Sequence, residues 1–89
     1  MDMLAIIVEF FGTFLLLISV FATGNALVIG GTLALTIILA GGISGGHMNP
    51  AVSVAMWLNG ALSVPELLGY LVAQYAGGVA AYYAYKALV

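Results

Sequence analysis

No cysteine occurs in this chain, and only four of its side chains carry charge: Asp2, Glu9, Glu66 and Lys86. The first absence excludes a disulfide framework and thiol chemistry. One histidine and three scattered acids leave no cluster for a metal, and no nucleophile–base pair or cofactor motif points to an enzyme. Lys86 alone makes no basic surface, so nucleic acid is excluded as a partner. Charged residues make up 4% of the chain, whereas a soluble domain carries roughly 25%. What is present is apolar: 65% of the 89 residues are hydrophobic, and mean hydropathy is +1.28. The class is integral membrane, multi-pass, with lipid as surroundings and the cell membrane as the expected location. A cleaved signal peptide is not expected, since the first apolar stretch is long, lacks a basic start and contains Glu9.

A bilayer core about 30 Å thick takes about 20 helical residues. Residues 4–23 meet this with Glu9 as the one interruption. Gly24 and Asn25 form a turn, and a second span runs over about 26–40. The last span covers 66–88 and opens with Ser63, Pro65 and Glu66 in capping-box spacing. Its end, with Tyr82, Tyr83, Tyr85 and Lys86, reads as an interfacial anchor. Between the second and third spans lies GGISGGHMNPAVS, residues 41–53, which breaks the apolar pattern with four glycines, a histidine, an asparagine and a proline. Asn49 is a preferred N-cap, Pro50 a favoured first helical residue and Gly60 a stop. The helix they bound, 50–59, is about 15 Å long, half the hydrocarbon thickness.

The chain therefore reads as one all-α membrane unit over 1–89. It has three spans, a re-entrant loop at 41–49 and a half-helix at 50–59. Irregular backbone at membrane depth must be buried in protein or line a wet cavity. Carbonyls of residues 42–47 are expected to form a row of acceptors, ending at the positive end of the half-helix dipole. Such a lining coordinates dipolar solutes and disfavours cations.

SGGHMNPAVS resembles the first Asn-Pro-Ala loop of the aquaporin and aquaglyceroporin family of major intrinsic proteins. VEFFGTFLLL, with Glu9 and Thr13, resembles the family's first helix. LGYLVAQYAGGVAA, with Gln74 and Gly77, resembles its third. The resemblance covers essentially the whole chain, but one repeat is present where family members carry two of inverted topology. It implies a half-pore completed by a second copy in antiparallel orientation, and, since family channels are tetramers, an assembly of eight chains. Lys86, the sole basic side chain, gives almost no orientation signal, which permits insertion both ways.

The resemblance also assigns roles. Asn49 donates its amide to a permeating solute at the midplane, with His47, Gly42, Ile43, Ser44, Gly45 and Gly46 along the pore. Pro50 and Ala51 start the half-helix and let a second one approach. Positions equivalent to the selectivity filter are Ile29, Ile37, Gly46 and Val52, the last standing where second repeats carry arginine. His47 has two compatible readings, pore lining and loop support. Glu9 reads either as a buried acceptor for loop N–H groups, a role Gln74 shares, or as a proton relay; an isolated acid lacks relay partners, which favours the first. Gly30, Gly31, Gly69, Gly77 and Gly78 suit helix packing.

The function these readings imply is facilitated diffusion of water and small neutral solutes such as glycerol, without cofactor or metal. The alternatives are a non-conducting half repeat that serves as an assembly unit, and a dual-topology transporter coupled to protons through Glu9.

Overall fold

The computed structural model describes residues 2–89, and its secondary structure is entirely helical. Helix α1 runs Met3–Thr23, α2 Ala26–Ala40, α3 Pro50–Leu58 and α4 Val64–Leu88. Each start has a side-chain cap. Asp2 Oδ1 accepts from the Leu4 and Ala5 N–H groups, a cap that the sequence reading passes over. Asn25 Oδ1 accepts from Leu27 and Val28 at 2.9 and 3.1 Å. Ser63 and Glu66 form the reciprocal capping box, and because Ser63 is the cap, α4 begins at Val64 rather than at 66. Helix α3 ends one residue short of expectation, with Asn59 as its C-cap and Gly60 at φ +83° beyond it.

Gly24, at φ +57°, turns the chain between α1 and α2 within two residues. Because Asn25 satisfies two first-turn donors of α2, Asn25→Ala is expected to lower stability by about 1 kcal/mol. Thermal unfolding in detergent reads this as a lower midpoint without loss of helix at low temperature.

Among the described residues one helix, α1, is long and apolar enough to cross a bilayer by length and composition alone. Helix α2 is apolar but has 15 residues. Helix α4 has 25 residues, and its hydropathy is diluted by Gln74, paired glycines and all five tyrosines of the chain.

The helices form a row in the order α2, α1, α4, α3, with α1 packed on both α2 and α4 and α3 resting on α4. The interior of this row is small and polar. Buried apolar residues are mostly alanines, together with Met48, Leu67 and Tyr70, while Glu9, Thr13, Ser44, His47, Ser53 and Gln74 are buried among them. Large apolar side chains such as Leu27, Ile38, Leu39 and Val72 face outward. That distribution inverts the usual soluble pattern. Small residues set the helix spacing: a β-carbon at Gly77 would lie 2.5 Å from the Phe10 carbonyl oxygen, so α1 and α4 touch backbone to backbone there.

Candidate functional site

The carboxylate of Glu9, fully buried in mid-α1, is the centre of the site. Its Oε2 accepts from the Ser44 hydroxyl at 2.6 Å and the His47 N–H at 3.0 Å. Its Oε1 accepts from the Met48 N–H at 2.8 Å and from Gln74 Nε2 at 2.9 Å. All four partners are donors, the complement of an acceptor-only carboxylate. Glu9 thus fixes the segment between α2 and α3 from the inside, through two backbone groups and one hydroxyl. Gln74 does not bind the segment's backbone, contrary to the sequence expectation. It acts through Glu9 and through Ser53, whose Oγ accepts from Nε2 at 2.8 Å.

The irregular segment is shorter than the sequence suggests. Ile43 and Ser44 donate their N–H groups to the Ala40 carbonyl and Gly41 donates to Ile37, so helical winding continues to Ser44. Open backbone is confined to residues 45–48, with φ of +87° at Gly45, +66° at Gly46 and +53° at Met48. Two successive left-handed residues suit glycine alone. Met48 tolerates that conformation, which costs about 1–2 kcal/mol in an L-residue, because its N–H is held by Glu9 and its side chain is sealed against Gly12.

Of the residues read as pore lining, Ser44 faces inward. Its hydroxyl donates to Glu9 and accepts from Gly46 N–H, and its carbonyl accepts from the Tyr70 hydroxyl at 2.8 Å. The expected row of free carbonyls is therefore interrupted at that position. Gly42, Ile43 and Gly45 are exposed, while Gly46 and His47 are buried. The His47 ring packs on Tyr70 with centroids 5.0 Å apart, and its Nδ1 lies 2.8 Å from Ser53 Oγ. Ser53 was missed by sequence reasoning, although it is the one polar side chain in α3 and that signal was available. Its contact with His47 is no catalytic pair, because Ser53 has no exposed surface for a substrate to reach.

Asn49 caps α3 through Oδ1, which accepts from Ala51 N–H at 2.8 Å, and its amide nitrogen is left free at an exposed position. It opens on a groove of about 430 Å³ between α1 and α4, lined also by Thr13, Leu16, Met48, Pro50 and Gln74. Thr13 Oγ1 and Gln74 Oε1 are buried there without partners. A second, apolar groove of about 250 Å³ lies between α1 and α2, and Met48 separates the two. Of the four filter-equivalent residues, Ile37 and Gly46 meet: a β-carbon at Gly46 would lie 3.0 Å from Ile37 Cα. Ile29 stands eight residues before Ile37 on the same helix, about 12 Å away. Val52 is on α3, which has no contact with α2. One chain does not close a ring from these four.

Comparison with known proteins bears on what such a site belongs to. The family model described as Major intrinsic protein matches residues 23–89. The chain is 41% identical over 90 residues to glycerol uptake facilitator protein-like 6 of Lactiplantibacillus plantarum, covering 91% of this chain and 42% of that protein. It is 39% identical over 88 residues to aquaporin Z of Brucella melitensis, covering 82% of this chain and 39% of that one. With the propanediol uptake facilitator PduF of Salmonella typhimurium it shares 47% identity over 45 residues, 51% of this chain and 17% of the relative. No solved structure matches. The chain spans about two fifths of the length of the two relatives that it matches over most of its own length. The relatives are named as two uptake facilitators and an aquaporin. A fully buried glutamate holding a glycine loop, an Asn-Pro-Ala helix start and a match over three quarters of the residues place this chain in the major intrinsic protein family of integral membrane proteins.

Proposed function

We propose that the chain is a subunit of a membrane channel for facilitated diffusion of water and small neutral solutes such as glycerol. In this reading residues 1–89 form one half repeat, with spans at about 4–23, 26–40 and 66–88. The loop re-enters the membrane, and α3 is a half-helix of nine residues, about 14 Å long. The observation that carries the reading is the Glu9 carboxylate with its four donors. It pins the loop so that α3 starts at an exposed asparagine with its dipole's positive end open. The free Asn49 amide would donate to a solute oxygen, and the carbonyls of the exposed residues Gly42, Ile43 and Gly45 would accept from solute hydrogens. His47 and Gly46 stand beside them, and Ile29, Ile37 and Val52 would supply apolar walls. Among the described residues the partners of Glu9 are four neutral donors, which supports a structural carboxylate over a proton relay.

The pore is completed by a second, inverted copy. Asn49 and Ala51 are exposed and the groove beside them is open along one side, as an incomplete lining would be. Proteoliposomes read by light scattering are expected to shrink faster than empty vesicles under osmotic and glycerol gradients. Equal rates for both solutes would sink the channel reading. The pairing has its own test, made clean by the lack of native cysteine. Ala51→Cys is expected to give a disulfide-linked dimer in membranes, where an inverted pair brings two α3 starts together.

A further inference from the structure

The hydrogen-bond chain behind His47 fixes where its proton sits. Gln74 Nε2 has two hydrogens and two acceptors, Glu9 Oε1 at 2.9 Å and Ser53 Oγ at 2.8 Å. The reverse amide orientation would set a carbonyl oxygen against the carboxylate. Ser53 Oγ therefore accepts from Gln74, and its one hydrogen must go elsewhere. Other hydroxyls of this chain donate to carbonyls three or four residues back, as Ser19 does to Leu16 and Thr32 to Val28. Ser53 makes no such bond, and its remaining contact is His47 Nδ1 at 2.8 Å. The hydroxyl donates and Nδ1 accepts. The imidazole then carries its hydrogen on Nε2.

Nε2 itself has no hydrogen-bond partner among the described residues, yet it is not sealed. Thr13 Oγ1 and Gln74 Oε1 are the buried side-chain polar atoms without partners among the described residues, and Nε2 is not one of them. Its surroundings are the exposed Gly45, where a β-carbon would come within 3.1 Å of it. His47 keeps 7% of its surface, and an unbonded Nε2 that is not among the sealed atoms has to share in it. We propose that Ser53 sets His47 as the Nε2–H tautomer, and that this N–H is presented at the loop surface beside Gly45 as a donor to the oxygen of a passing water or polyol hydroxyl. The second half of the statement rests on the channel reading; the first does not. Gln74 and Ser53 are then positioning residues that act through the ring, and Gly45 is the residue whose missing side chain leaves the donor accessible.

The single histidine makes the test direct. Nitrogen NMR on histidine-labelled protein in nanodiscs is expected to show one neutral tautomer, protonated at Nε2. Ser53→Ala removes the hydroxyl donor, and both tautomers are then expected. Ser53→Cys, close in size and a weaker donor, is expected to give an intermediate ratio should the alanine variant fail to fold. A wild-type ring protonated at Nδ1, or variants that keep the pure Nε2–H form, would overturn the assignment. For the solute contact, His47→Phe keeps a ring against Tyr70 and removes the donor. Glycerol flux relative to water flux is expected to fall about two- to tenfold, the scale of one neutral hydrogen bond. An unchanged ratio in conducting vesicles would overturn the donor role. Wild-type vesicles that conduct neither solute would remove the channel reading and leave the tautomer result standing.

Discussion

Glu9→Ala is expected to abolish the folded state. The substitution strands the Ser44 hydroxyl, the His47 and Met48 N–H groups and one hydrogen of Gln74 inside the protein. A buried donor left without an acceptor costs about 1–3 kcal/mol, so four of them total at least about 4 kcal/mol. Whole-protein stability is about 5–15 kcal/mol, and the positive φ at Met48 loses its support in the same stroke. Glu9→Gln is expected to rescue little. Its amide keeps one acceptor oxygen, but its NH2 group is turned onto groups that are themselves donors. Far-UV circular dichroism and Trp57 fluorescence in detergent follow this, since Trp57 lies on α3 and reports on its docking. An alanine variant that melts within a few degrees of wild type would show that the loop holds itself in place without the carboxylate.

The second large effect separates two adjacent glycines. At Gly77 a new β-carbon meets the Phe10 carbonyl oxygen at 2.5 Å, Thr13 Cβ at 3.2 Å and the Phe14 nitrogen at 3.3 Å. Two of these are backbone atoms of α1, so relief requires moving a helix rather than rotating a side chain. Gly77→Ala is expected to destabilise by about 1–3 kcal/mol, and Gly77→Val by more. At Gly78 the nearest atom is Leu17 Cγ at 3.9 Å, an ordinary contact. Gly78→Ala is therefore expected to stabilise by up to about 1 kcal/mol through helix propensity. Opposite signs in thermal midpoints are the result to look for. Equal shifts would mean that α1 and α4 are not in backbone contact at this level.

The sequence made some of this arrangement legible and hid the rest for physical reasons. Local signals carry far: Asn49 and Ser63 read as caps by residue type, and the structure starts helices directly after both, while Asn25, read as a turn residue, caps α2 as well. The Asp2 cap carries the same signal ahead of an apolar run. Ser44 is different, because its local context is glycine-rich loop. What turns it inward is Glu9, 35 residues before it, and Tyr70, 26 residues after. Such pairings have no periodicity to betray them. The two glycines at 77 and 78 read alike in sequence, and only the rotation of α4 against α1 tells them apart. Ile37 and Gly46 meet, but the four filter-equivalent residues do not close a ring, for a related reason. Spacing along one chain says nothing about walls that a single half repeat does not bring together.

The order in which the chain is made gives the Glu9 contacts a further meaning. The carboxylate emerges in the first helix, while its partners follow 35, 38, 39 and 65 residues later. At about 5–20 residues per second, the interval before Gln74 is synthesised is roughly 3–13 s. An unpartnered acid at mid-helix opposes release into lipid by about 2.5–3.5 kcal/mol on insertion scales. During those seconds α1 is a poor lipid-resident segment and a good client for the insertion machinery. On the channel reading its departure from that machinery would await α4, and Glu9→Leu is expected to let α1 enter lipid earlier. The carboxylate that shapes the finished loop would thus also act as a timer during biogenesis, holding α1 back until α4 is ready to receive it.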